Sequence, residues 1–153
     1  MRKTAELYRN IVSLGPHSKE APAAQMKIGL AWEKHAQGFH FSESERHKTY
    51  GRAVQAYKTA SERYKESDAI ASKALFAAGM AYQNQSLDAE YDQAVTIKSI
   101  DAYSDLITLY PEHQNIPDAK KRIDDMKIEQ ARGNFKIARY YEKRKKWKGA
   151  EIY

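Results

Sequence analysis

The sequence predicts an all-α protein, an α-solenoid of stacked helical hairpins. Two alternating patterns point to it. In the first, Ser99, Tyr103 and Tyr110 stand at i, i+4 and i+11, as do Ala53, Tyr57 and Tyr64, with Thr4, Tyr8 and Gly15 as a weaker copy. That spacing puts a small residue and two rings on one helical face. In the second, a small residue precedes an aromatic by three positions: Gly29 and Trp32, Gly79 and Tyr82, Ala138 and Tyr141. Where antiparallel helices cross closely, one must offer a residue without bulk, and a ring one turn away fills the space beside it. A single pair cannot bury its apolar face alone, but stacked neighbours can. No sustained period-two run bounded by turn residues argues for strands.

The elements follow in order. Thr4 to Leu14 is helical and ends at Gly15-Pro16, where proline removes a donor and glycine frees the backbone. Pro22 suits a first turn, whose N–H needs no partner, and opens a helix to about Gln37, before Gly38. The following loop, Gly38-Phe39-His40-Phe41, is unusually aromatic. Ser42 and Glu45 have capping-box spacing and begin the helix that carries Tyr50, Ala53, Val54, Tyr57 and Tyr64. Asp68 starts the next, through Phe76 and Gly79 to about Gln85. Ser86 to Asp92 is a polar, acidic loop, after which a helix runs to Leu109 and Pro111 closes it. Pro117 opens a final long helix to about Arg144, roughly 40 Å at 1.5 Å per residue, which would overhang its partner. The chain divides as one repeat domain, residues 1–153: a second helix at 4–14, repeats at 22–65 and 68–109, and an incomplete repeat at 117–153.

At 153 residues there is enough chain for one core but not for two. The net charge of +6 is concentrated. Arg132, Lys136, Arg139, Lys143, Arg144, Lys145, Lys146 and Lys148 stand against Glu142 alone between residues 132 and 148. Such a run is either a solvated helix end or an acceptor for an acidic partner or anionic headgroups. No nucleic-acid recognition motif accompanies it, and no nucleic-acid partner is expected. No apolar run is long enough to span a bilayer. Cysteine is absent, which excludes disulfides and thiol catalysis. His35, His40 and His47 cluster near one loop but match no zinc spacing, and Asp88, Glu90 and Asp92 lack the glycine and closing glutamate of a calcium loop. Neither a phosphate loop nor a nucleophile motif is visible, so the expectation is a protein with no cofactor, no metal and no enzymatic activity.

Gly-x-x-aromatic on a first helix with small-x3-aromatic on a second resembles the tetratricopeptide repeat, whose period is about 34 residues. Tyr141 and Ala150 stand nine positions apart, the spacing of an ordinary repeat, whereas Trp32 to Ala53 and Tyr82 to Ser99 are stretched. Asp92 through Tyr103, Leu109-Tyr110-Pro111, Asp118 to Ile123, and Ala138 to Tyr141 with Ala150 resemble the outer-membrane assembly lipoproteins of the BamD family, also called ComL or YfiO. The resemblance is specific from about Tyr91 and repeat-level before it. No lipoprotein signal accompanies it, and the chain begins and stops within repeat helices. It is therefore expected to be an internal piece of a longer protein.

In tetratricopeptide arrays the first helix of each pair lines a groove, and its facing positions carry over by counting from Gly29, Gly79 and Ala138. Three before and one after give Met26 and Leu30, Phe76 and Met80, Phe135 and Arg139. Four and five after add Glu33 and Lys34, Gln83 and Asn84, Glu142 and Lys143, and six before adds Ala23, Lys73 and Arg132. The expected surface has an apolar floor rimmed by Lys34, Lys73, Arg132, Arg139 and Lys143, suited to a peptide with apolar anchors and a carboxylate. Equally, Phe76, Met80 and Phe135 fit the core between repeats. The resemblance implies a lipid-anchored scaffold on the periplasmic face of the outer membrane. It implies two kinds of protein partner, the barrel-forming assembly subunit and the C-terminal segments of unfolded outer-membrane proteins, and attachment to the membrane only through a lipid anchor. The alternative is a peptide-binding adaptor, of the Tol-Pal type in the cell envelope or in the cytosol.

Overall fold

The computed structural model describes residues 2–38, 40–87 and 93–152. Among them are seven helices: α1 (Arg2–Leu14), α2 (Ala21–Ala36), α3 (Glu43–Arg63), α4 (Asp68–Leu87), α5 (Gln93–Leu109), α6 (Ile116–Lys143) and α7 (Trp147–Ala150). Each packs on the next in the chain, and α2 also touches α4. The architecture is an all-α, tetratricopeptide-like solenoid of antiparallel hairpins.

Local chemistry sets the helix ends. At the start of α3 the Ser42 hydroxyl accepts from the Glu45 N–H (3.3 Å), while the Glu45 carboxylate accepts from the Ser42 N–H (3.1 Å), a complete capping box. Pro22 and Pro117 lie in the first turns of α2 and α6. The loop after α2 is aromatic because Phe41 folds back to meet His35 edge-on at 4.7 Å; Phe39 lies outside the described residues. Helix α4 continues two residues past the expected Gln85, and Asp88, Glu90, Tyr91 and Asp92 of the expected acidic loop also lie outside the described residues. Helix α6 ends with Lys145 in the left-handed region (φ 55°). The Lys146 N–H donates to the Tyr141 carbonyl and the Lys145 N–H to that of Glu142, a Schellman closure.

Alanine governs how closely the helices approach. Ala71, Ala74, Ala78 and Ala81 form a stripe along α4 and are at most 1% exposed. That stripe lets α4 lie close against α3, and the Gln85 side chain adds a 3.0 Å bond to the His47 carbonyl. Two apolar clusters result. One joins α1 to α4 around Ile28, Trp32, Val54 and Tyr57; the other joins α4 to α6 around Tyr103, Leu106, Ile123 and Met126.

Both hairpins, α2–α3 and α4–α5, repeat one crossing. A Cβ added to Gly29 would stand 2.6 Å from Cδ1 of Tyr57, and one added to Gly79 would stand 2.6 Å from Cε1 of Tyr103. Each ring therefore fills the side-chain space of the glycine it covers. In the last hairpin the roles invert: Gly149 of α7 takes the ring of Tyr141 of α6, a Cβ there falling 2.8 Å from its Cδ1. The small residue expected at this crossing, Ala138, is only partly buried.

Helix α6 serves two hairpins. Its first half, through Ala119, Ile123 and Met126, packs on α5. About two thirds of the way along it, the Asn134 side-chain Oδ1 accepts from the side-chain amide of Gln93, the first residue of α5, at 2.9 Å. Everything in α6 beyond that point overhangs α5, as its length predicts.

Candidate functional site

The first helices α2 and α4 present adjoining faces. Counted at 100° per residue, Met26, Leu30 and Lys34 share one side of α2, and Lys73, Met80 and Asn84 the corresponding side of α4. Leu30 is 44% exposed, Met26 and Met80 are half-buried, and Lys34 and Lys73 are exposed. Neither lysine forms an ion pair among the described residues. Together they form a short apolar strip between two exposed lysines.

The tyrosines that cover Gly29 and Gly79 both end on this same face. The Tyr57 hydroxyl donates to Glu33 at 2.9 Å, and the Tyr103 hydroxyl to Gln83 at 3.4 Å, where Arg122 of α6 also donates at 2.9 Å. Glu33 and Gln83 are the residue four beyond the glycine in each copy. Burial raises the Glu33 carboxyl above its ordinary range, against the bond from Tyr57, and pushes the Tyr103 phenol up to about 12. At neutral pH both tyrosines are neutral donors. Ser99, wholly buried, donates to the Gly79 carbonyl at 2.8 Å and tightens the second crossing further.

Phe76 and Met80 pack against the second apolar cluster, and the Phe76 ring lies 5.7 Å from that of Tyr103 and 6.0 Å from the Arg122 guanidinium. Phe76 thus belongs in large part to the contact between hairpins. Arg122 marks the level at which α6 passes Phe76. Arg132 stands about 15 Å further along the helix axis and Arg139 about 25 Å. The structure therefore does not bring Arg132, Phe135, Arg139 and Lys143 beside Phe76. They form a separate flank on the overhang. There Phe135 is 63% exposed beneath Arg139 (5.9 Å), Arg132 is paired with Glu129 (2.5 Å), and Arg144 lies 4.3 Å over the Tyr140 ring.

Counting from the glycines also passes over a recess on the other side of α2. On the side of α2 turned away from the Met26–Leu30 strip, α1 and α3 border a cleft of about 750 Å³. Counting repeat positions does not find it, because its residues are shared among α1, α2 and α3 and only the fold brings them together.

Hairpins of this length, stacked through small-residue crossings with the first helices α2 and α4 side by side, define a tetratricopeptide-like repeat protein. The chain belongs to the YfiO family of outer membrane lipoproteins, whose model matches residues 71–152. That stretch runs from inside α4 to α7 and includes the Gly79–Tyr103 crossing. No curated protein matches the chain.

Proposed function

We propose that the chain is a non-catalytic interaction scaffold on the periplasmic face of the outer membrane, serving the assembly of β-barrel outer-membrane proteins. Family membership supports the location, and the solenoid supports the role, since a stack of hairpins offers extended faces rather than an enclosed reaction site. The observation that carries the reading is the strip of Met26, Leu30 and Met80 lying open between Lys34 and Lys73. An extended segment with an aromatic anchor and a terminal carboxylate complements it, the ring on the methionines and the carboxylate on a lysine. The C-terminal segment of an unfolded barrel protein has that chemistry. A larger surface, such as the barrel-forming subunit, fits the overhanging flank of Phe135, Arg139 and Lys143.

Fluorescence anisotropy with a labelled barrel C-terminal peptide ending in Phe tests the strip. Saturable binding that weakens on amidation of the peptide, and again in Leu30→Asp and Lys73→Glu chains, is the expected result. A folded wild-type chain that binds free-acid and amidated peptides alike would sink the reading.

A further inference from the structure

The cleft between α1 and α3 combines an apolar floor with basic walls. Its floor is apolar, with Ile28 and Trp32 from α2 both under 8% exposed. Its walls carry Arg9 from α1, and Arg52 and Arg63 from α3, and no carboxylate is among the described residues that line it. None of the three arginines forms an ion pair among the described residues. Arg52 is instead laid over the Trp32 ring at 4.8 Å, which holds its guanidinium in place without neutralising it. Cations gathered over a low-dielectric floor without counter-charge repel one another and raise the local concentration of anions.

Its shape narrows the ligand. Arg52, Gln55, Thr59 and Arg63 lie at i, i+3, i+7 and i+11, a single stripe along α3 about 16 Å long. At about 3.3 Å per residue, five extended residues span that distance. The far end is closed where the Tyr64 hydroxyl donates to the Pro16 carbonyl at 3.3 Å. An occupant that complements the cleft is short, offers apolar groups to Ile28 and Trp32 beside the polar Gln55 and Thr59, and carries negative charge toward both ends.

We propose that this cleft docks an acidic, extended peptide segment of a partner protein, its central apolar side chains on Ile28 and Trp32 and its flanking carboxylates on Arg9, Arg52 and Arg63. The site is independent of the strip on α2 and α4, from which it is separated by the thickness of α2. It gives the solenoid a second docking face, read by charge at both ends rather than by a chain terminus.

The test uses the full chain carrying Trp147→Phe, which leaves Trp32 as its one tryptophan. A displayed library of pentapeptides with Asp or Glu at both ends and apolar residues between is selected against the chain. Enriched sequences are synthesised acetylated and amidated, so that their charge resides in side chains alone, and titrated while Trp32 emission is read. The expected result is a saturable change with micromolar affinity. That affinity falls at least about tenfold in an Arg9→Gln, Arg63→Gln chain, falls likewise when the peptide acids become Gln, and is unmoved by Arg139→Gln. Failure of any sequence to enrich, or equal binding to the Arg9→Gln, Arg63→Gln chain, would overturn the proposal. So would phosphatidylglycerol vesicles or inorganic phosphate producing the same saturable change, which would assign the cleft to lipid or to free anions.

Discussion

The ring of Tyr103 occupies the volume that a side chain at Gly79 would need. The ring cannot easily yield: Tyr103 is fully buried, and its hydroxyl is held at Gln83. Gly79→Ala is therefore expected to destabilise the fold by about 1–3 kcal/mol, the usual cost of forcing extra volume into a packed core. Gly133, inside α6, has nothing within 4 Å of where its Cβ would lie. Gly133→Ala should stabilise by about 0.5–1 kcal/mol through helix propensity. Urea unfolding of both variants checks the pair, and equal effects would sink the crossing argument.

Glu33 and Gln83 hold the same place in their hairpins but differ in charge. Because burial raises the folded pKa of Glu33 above its ordinary 4.5, the folded chain binds more protons than the unfolded one between 4.5 and that raised value. The Glu33 contribution is thus fully present below pH 4.5 and is lost as pH rises through the folded pKa. A glutamine carbonyl can accept from Tyr57 as Gln83 does from Tyr103. Glu33→Gln is accordingly expected to match or exceed wild-type stability at pH 7, with its advantage shrinking toward pH 4. Urea midpoints at the two pH values decide it; a variant uniformly less stable would contradict the assignment.

Lys145 adopts a left-handed backbone that costs a residue with a Cβ about 1–2 kcal/mol relative to the right-handed form. Lys145→Gly should relieve part of that strain and hold α7 more firmly against Tyr141. Slower amide exchange over residues 146–150 is the expected signature, and faster exchange there would refute it.

The start of α3 rests on a reciprocal pair of hydrogen bonds. Ser42→Ala removes the acceptor for the Glu45 N–H and should cost about 1 kcal/mol, within the range of lost N-caps. Thermal unfolding beside a Ser44→Ala control, two positions along the chain and making neither bond of the box, isolates the effect.

How much of this was legible in the residues depended on whether the cause was local. The Gly29 and Gly79 crossings could be read because the glycine and its covering tyrosine belong to consecutive helices, and packing ties both to fixed spacings. The last crossing could not, since Gly149 and Tyr141 exchange roles there and the pattern pointed to Ala138 instead. The residues expected to line one groove lie in two separate places. Counting positions from each small residue treats every first helix alike, but α6 passes Phe76 at Arg122 and carries Phe135 and Arg139 well beyond it. The cleft at Arg52 was silent in the sequence for a different reason: α3 carries one wall as a stripe, but the floor and the opposite wall come from α2 and α1, and only the fold brings the three together.

The dual allegiance of α6 has a consequence for which changes the chain can tolerate. One half of this rod is gripped by α5 through Ile123 and Met126, and the other bears Tyr141 against Gly149. Deleting a single residue between Met126 and Asn134 would turn everything after it by about 100° and draw it in by about 1.5 Å. Each side chain could keep its identity while α7 and the flank of Phe135 and Arg139 swung to a new azimuth. The helix is thus an angular gauge: the number of residues between its two grips sets the direction in which the basic flank points, and substitution scans, which never alter that number, would leave this constraint undetected.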